Sequence, residues 1–164
     1  MKPTEWTMRS RIGPIRLTAT ADGLTGVFLK KRGTVTVAPL RGSDRAITIL
    51  RSAARQITEY LAGDRKRFDL PLAAEGTLFQ KKVWKCLRRI PYGSTCSYKD
   101  VARGIGAPAA VRAVGTANGK NPLCIVIPCH RVIAADGSIG GYSGGLAVKK
   151  KLLRLESPRK NPPL

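Results

Sequence analysis

The sequence predicts an α+β protein in two parts. A small N-terminal α+β unit, a short antiparallel sheet plus a helix, is expected over residues 1–74. A mainly helical part follows over 75–157, and a loose tail over 158–164. Three observations predict this. Residues 15–20 and 24–29 alternate as strands do, across the turn-forming Ala21-Asp22-Gly23. Ile47, Leu50, Ala54, Ile57 and Leu61 recur at helical steps. From Gly76 onward, helix start and stop signals crowd the chain.

In the first part, Ser43 or Asp44 can cap the helix and Gly63 can end it. Lys30 to Gly42 is basic and reads as a loop with room for one more strand. Phe68 to Leu72 reads as a short return strand. Nothing in this part suggests catalysis. In the second part, Thr77 and Gln80 form a capping box ahead of the stripe Phe79, Val83 and Leu87. Pro91-Tyr92-Gly93 breaks that helix. Ser97 with Asp100 starts a short helix that Gly104 and Gly106 end. Pro108 suits the first position of the next helix, which runs to about Asn118-Gly119. Two short helices joined by a glycine-containing turn make a helix-turn-helix candidate. Leu123 to Ile127 reads as a buried strand, Gly140 to Gly145 as a glycine-rich loop, and Leu146 to Leu155 as the last helix.

The 164 residues carry a formal net charge of +20, with +7 over residues 1–75 and +13 over 76–164. A polyanionic partner is the natural reading, and a generally basic surface is the plain alternative. No apolar run approaches the ~18 residues of a membrane span, and no signal peptide is evident, so a cytoplasmic protein without membrane contact is expected. The four cysteines, Cys86, Cys96, Cys124 and Cys129, form no CxxC, and His130 is the single histidine. That argues against a structural metal site.

The chemistry points to Cys129-His130. A thiolate is a strong nucleophile, and imidazole is suited to take a thiol proton near neutral pH. Adjacent strand residues face opposite ways. The pair must therefore sit in a turn or pass its proton through a water. Glu156 is the one carboxylate after Asp136, so a Cys129–His130–Glu156 relay is available. Read alone, the dipeptide more often marks a buried thiol beside a core histidine. The helix around 109–118 is rich in alanine and glycine with one arginine. It suits close approach to a DNA backbone without base reading, or else ordinary helix packing. Cys86 and Cys124 read as structural.

The run Pro128-Cys129-His130-Arg131-Val132 resembles the active-site signature of the O6-alkylguanine-DNA alkyltransferases. The resemblance spans about Gly76 to Glu156. It includes Ile90-Pro91-Tyr92-Gly93, Ser97-Tyr98, Val111-Arg112-Ala113-Val114-Gly115, Asn118-Gly119-Lys120-Asn121-Pro122 and Tyr142-Ser143-Gly144-Gly145. It implies stoichiometric, irreversible transfer of an alkyl group from guanine O6 in double-stranded DNA to Cys129, with no cofactor and no metal.

The resemblance also assigns roles. His130 takes the Cys129 proton through a water, with Glu156 behind it, and Tyr98 donates to guanine N3. Tyr142, Ser143 and Gly144 belong to the loop that binds O6. The carbonyls of Cys129 and Val132 accept from the exocyclic amine. Asn121 ties the DNA-binding helix to the active-site turn. Arg112 enters the duplex, and Ala109, Ala110, Ala113 and Gly115 let the helix press on DNA. A monomer is expected in solution, with cooperative loading on DNA left open. The sulfur is expected to be ionised, shielded and facing a cavity for an unstacked purine. Relatives commonly have glycine after the final glutamate, whereas here Ser157 follows Glu156. A binding-only module and a cysteine hydrolase are the competing functions.

Overall fold

The computed structural model describes residues 2–30, 35 and 39–157. The strand allowed within Lys30–Gly42 falls mostly outside these residues, and the tail 158–164 entirely so. Three antiparallel strands form the N-terminal sheet in the order β1 (Thr4–Met8), β2 (Ile15–Ala19), β3 (Leu24–Leu29). The expected hairpin is β2–β3, closed by Thr20 N–H to Gly23 O at 3.0 Å. β1 pairs along β2 from Thr4↔Ala19 to Met8↔Ile15 and was not foreseen, because five residues give too few alternations to stand out.

Helix α1 (Asp44–Leu61) covers the sheet. Ser43 caps it, accepting from Ala46 N–H at 3.2 Å. Its buried face is Ala46, Ile49, Leu50, Ala53, Ala54, Ile57, Tyr60 and Leu61, lying on Ile15, Leu17, Ala19 and Val27. Each large aliphatic side chain buried there contributes about 1.5–3 kcal/mol. The expected return strand is only a single bridge, Leu24↔Leu72. Leu24 N–H bonds Pro71 O and Ala73 N–H bonds Leu24 O, each at 2.8 Å, so this segment runs parallel to the start of β3 for that one residue only.

In the second part, both capping boxes form: Thr77–Gln80 at α2 (Leu78–Leu87) and Ser97–Asp100 at α3 (Tyr98–Gly104). α4 (Val111–Gly119) starts three residues later than expected, because Pro108 and Ala109 belong to a turn that Ala110 N–H to Ala107 O closes. Trp84 of α2 donates to Ala117 O of α4 at 2.9 Å, which locks those helices together. α5 (Leu146–Glu156) closes the chain, ending one residue later than expected. Two short strands, β4 (Cys96–Ser97) and β5 (Val132–Ile133), pair in parallel.

The buried run Leu123–Ile127 is not a strand. It is a tight turn in which Ile125 takes φ 73° and Ile127 N–H bonds Leu123 O at 2.8 Å. A β-branched residue in that region is strained. It is held because the run is apolar and buried from both sides, not because it is extended. The turn leans on β3, where Val27 N–H bonds Pro122 O at 2.8 Å. One continuous core therefore spans both parts. Among the described residues, no helix is long and apolar enough to cross a membrane.

Candidate active site

The Ile125 turn delivers the chain to Pro128, and a single 3-10 turn follows over Cys129–Arg131. Cys129 N–H bonds Ile127 O at 2.8 Å and Arg131 N–H bonds Pro128 O at 3.0 Å. This meets the condition set by the sequence, since Cys129 and His130 leave strand geometry. The chain then enters β5, whose partner β4 leads directly into Tyr98 at the start of α3.

His130 is fully buried, and its Nε2 lies 2.8 Å from Glu156 Oε1. Burial, opposed by Glu156, holds the imidazole below its ordinary value, so it is neutral near pH 7. A neutral ring beside a carboxylate carries its proton on Nε2, which donates to Glu156 and leaves Nδ1 as a free acceptor. Nδ1 has no hydrogen-bond partner among the described residues.

Glu156 is 3% exposed, and its two oxygens accept four hydrogen bonds. Oε1 takes Tyr60 Oη at 2.5 Å, His130 Nε2 at 2.8 Å and Arg131 Nη2 at 2.9 Å, and Oε2 takes Arg131 Nε at 2.8 Å. Burial alone would raise this carboxyl, but these donors outweigh it and hold it at about 2. Ser157 has an ordinary extended backbone, φ −64° and ψ 131°, so no glycine is required there to place Glu156. Arg131 also donates to Ile90 O at 2.6 Å and lies 5.7 Å from the Tyr92 ring, which gives the Ile90–Gly93 segment its place. Sequence reasoning missed Tyr60 and Arg131 here. Tyr60 stands next to the predicted stripe position Leu61 and has no role in the sequence reading, yet it brings a hydroxyl from the N-terminal part into the site.

Cys129 is 2% exposed. The Cys124 thiol and then burial push its thiol well up, while Asn121 and the Lys149 ammonium pull the other way. At rest the sulfur is therefore a thiol rather than the ionised form expected. The recess that passes behind the turn, about 600 Å³, is lined by Ile125, Val126, Pro128 and Arg131 and not by Cys129.

The Cys129 sulfur is enclosed by groups from several elements. Tyr98 is half-buried and raised by burial and by Cys129. A Cβ on Gly140 would stand 3.1 Å from its hydroxyl, and one on Gly115 3.9 Å from its ring. Gly115 is half-buried on α4, and a Cβ there would make only ordinary contact with the Tyr98 ring. Among the described residues the buried Tyr142 hydroxyl has no hydrogen-bond partner, and burial, then Cys129 and Cys124, push it well up. Lys149, also missed by sequence reasoning, is fully buried and donates to Val132 O at 2.7 Å and Gly141 O at 3.1 Å. Burial lowers it, and Cys129 opposes that.

Asn121 closes the turn, donating to Ile127 O at 2.8 Å and accepting from Leu123 N–H at 2.9 Å. Asn121 N–H also bonds Asn118 O of α4 at 3.3 Å, and Asn118, whose Nδ2 lies 3.4 Å from Cys129 O, adds a second tie from α4 to the acceptor turn. Both carbonyls expected to bind an exocyclic amine already have donors: Cys129 O takes Val132 N–H and Asn118, and Val132 O takes Lys149. Ser143 is exposed, its Oγ 3.8 Å from Cys124 Sγ. Gly144 is buried so tightly that a Cβ would come within 2.6 Å of Leu29. Arg112, Ala109 and Ala113 are exposed and, with Ala110, line a shallow recess of about 590 Å³ beside Thr77, Phe79 and Gln80. Ala109 and Ala110 precede α4 rather than lying on it.

Fold and site together define a two-part α+β protein built around a cysteine nucleophile with a histidine–glutamate pair. The family model for 6-O-methylguanine DNA methyltransferase, ribonuclease-like domain, matches residues 5–74, and that for the DNA binding domain matches 78–158. The chain is 47% identical over 148 residues to a methylated-DNA–protein-cysteine methyltransferase of Methanosarcina acetivorans, covering 90% of this chain and 94% of that one. It is 53% identical over 107 residues, 65% of each chain, to the protein of that name from Mycobacterium tuberculosis. Its fold matches the crystal structure of Mycobacterium tuberculosis OGT in complex with DNA at TM-score 0.82 and 43% identity, over 93% of this chain and 91% of the other. The chain belongs to the 6-O-methylguanine DNA methyltransferase family.

Proposed function

We propose that this protein repairs DNA by direct reversal, moving the alkyl group from guanine O6 to Cys129 once per molecule. One observation carries the reading. In a chain of this family, Cys129 shares a 3-10 turn with a neutral His130 whose Nε2 is locked on Glu156 and whose Nδ1 is free.

The Cys129 proton passes through a water to Nδ1, and Glu156 stabilises the imidazolium that forms. The nearby Lys149 ammonium favours the thiolate. The attacked carbon is saturated, so displacement is in line: the sulfur–carbon bond forms as the O6–carbon bond breaks. The leaving guanine is an anion. Tyr98 donates to its N3, and the buried Tyr142 hydroxyl and the Ser143–Gly144 backbone stand by O6. Preorganised donors of this kind stabilise developing charge.

Cys129 is enclosed, so the base enters only when the Gly140–Gly145 loop shifts from Tyr98. Gly140 and Gly145, at φ 68° and 93°, give that loop its backbone freedom. The base must first leave the duplex, at a cost of a few kcal/mol. α3 and α4 then act as a helix-turn-helix, in which α4 presents Arg112 to the gap and small residues to the backbone. The +20 charge supplies sequence-independent attraction.

Intact mass after incubation with an O6-methylguanine duplex tests this. One added methyl per chain, carried by Cys129 and absent in Cys129→Ser, is the expected result. Repeated turnover would mean a hydrolase. Tight lesion binding with no mass change would mean a recognition module.

A further inference from the structure

Helix α1 reaches the reacting turn through one side chain. Tyr60 is fully buried, and its hydroxyl donates to Glu156 Oε1 at 2.5 Å. The same oxygen holds His130 Nε2 at 2.8 Å, and the hydroxyl oxygen lies 3.4 Å from Nε2 itself. Phe68 and Tyr92, with ring centroids 5.4 and 6.2 Å away, hold the phenol in place. Burial and then Glu156 push it far above its ordinary value, so it stays a donor at any working pH.

This placing bears on the base. A carboxylate hydrogen-bonded to a buried imidazole favours the imidazolium. An imidazolium carries a proton on both nitrogens and cannot accept one from Cys129. The other charged groups that act on the ring are cations, Arg131 on its own turn and Lys149 on α5. The Tyr92 hydroxyl is turned away to Leu155 O at 3.2 Å. Arg131 spans both Glu156 oxygens, at 2.8 and 2.9 Å. Among the described residues, Tyr60 is the one neutral donor to Oε1 besides the ring, and it draws charge from the oxygen that the ring uses.

We propose that Tyr60 is a positioning residue of the transfer: its phenol, competing with the His130 ring for Glu156 Oε1, keeps Nδ1 unprotonated and open to the Cys129 proton. The proposal rests on the repair reading and its relay. The proton leaves Cys129 through a water and arrives on Nδ1, while Nε2–H stays on Glu156. Without the phenol, Oε1 holds Nε2–H more strongly and the imidazolium forms at higher pH. His130 is then charged at rest over a wider range, and fewer molecules can start the transfer. The N-terminal part, which carries no reacting group, thus acts on the chemistry.

The test uses the full chain, in which His130 is the single histidine, so its ring signals in nitrogen NMR assign themselves. They distinguish Nε2–H, Nδ1–H and the imidazolium, and are followed from pH 8 to 4. Tyr60→Phe removes the hydroxyl and keeps the ring. The titration midpoint of His130 should move up by about one pH unit. The acid limb of the single-turnover methyl-transfer rate, read by intact mass with an O6-methylguanine duplex, should move up with it. Tyr60→3-fluorotyrosine keeps the hydroxyl and nearly the same volume but donates more strongly, so it should move both readouts down. It also decides the matter where Tyr60→Phe does not fold. Phe68→Leu loosens the same packing without touching the hydroxyl and should leave the midpoint in place. An unmoved or lowered midpoint in Tyr60→Phe, an unmoved or raised one with fluorotyrosine, or an equal move in Phe68→Leu would each overturn the proposal. The ring titration does not depend on DNA. A shifted midpoint with no methyl transfer by any of these proteins would therefore count against the repair reading alone.

Discussion

Replacing Glu156 by glutamine gives the sharpest test of the buried cluster. Glutamine keeps the shape but removes the charge that Arg131 meets with two hydrogen bonds, at 2.8 and 2.9 Å, at a site 3% exposed. Breaking a buried ion pair by neutralising one member costs about 3–5 kcal/mol, because the other charge stays buried. For a chain of this size, each kcal/mol moves the melting midpoint by about 2–4 °C, so a drop of about 6–20 °C is expected at pH 7.

The pH dependence supplies an independent figure. A free glutamate titrates near ~4.3, and this one is held at about 2. The folded value is depressed, so its stabilisation is fully present above the unfolded value and fades as pH falls toward the folded one. A shift of roughly two units corresponds to at most about 3 kcal/mol. Urea unfolding of both proteins from pH 7 to 3 should show the gap between them narrowing below about pH 4.5. A gap that stays constant with pH, or one under about 1 kcal/mol at pH 7, would refute the view that the carboxylate is charged and uncompensated by water.

Tyr60→Phe removes one donor from the same carboxylate and should cost about 1.5–3 kcal/mol in urea unfolding. The Glu156 carboxyl should also titrate higher. Lys149→Met keeps the buried volume but removes the ammonium that opposes the upward push on Cys129. The reaction of Cys129 with a small alkylating probe should then need higher pH, read as a shifted rate profile. Arg112→Ala should slow repair of duplex DNA at least about tenfold while leaving reaction with a free alkylated base analogue nearly unchanged. Equal losses would remove Arg112 from base extrusion.

The sequence was most readable where the physics is local. The Thr77–Gln80 and Ser97–Asp100 boxes bind within three residues, so their spacing alone predicts them. The Cys129–His130 turn was half legible: adjacency left a turn or a bridging water as the ways to pass the proton, and a turn is what forms. Tyr60 was not legible, since it meets Glu156 across 96 positions and its hydroxyl looks like any tyrosine on a helix stripe. Lys149 was hidden for the opposite reason: in Lys149-Lys150-Lys151 the first lysine is buried and the other two are exposed. Leu123–Ile127 misled because apolarity reports burial, and burial does not distinguish a strand from a turn with a left-handed isoleucine. Pro108 misled because a residue suited to the first helical turn is equally suited to the bend before it. The shielding of Cys129 was expected, but the walls that supply it were not legible, since they depend on how the glycine-rich loop, α3 and α5 come together.

The placing of nucleophile and base on one short turn bears on how the molecule can move. Chain connectivity, rather than packing, fixes the separation of Cys129 and His130. Breathing motions that part the walls around the sulfur leave that spacing untouched. The anchoring carboxylate, by contrast, is brought in by another segment at the far end of the chain, and it is the partner most easily mislaid when the second part of the protein loosens.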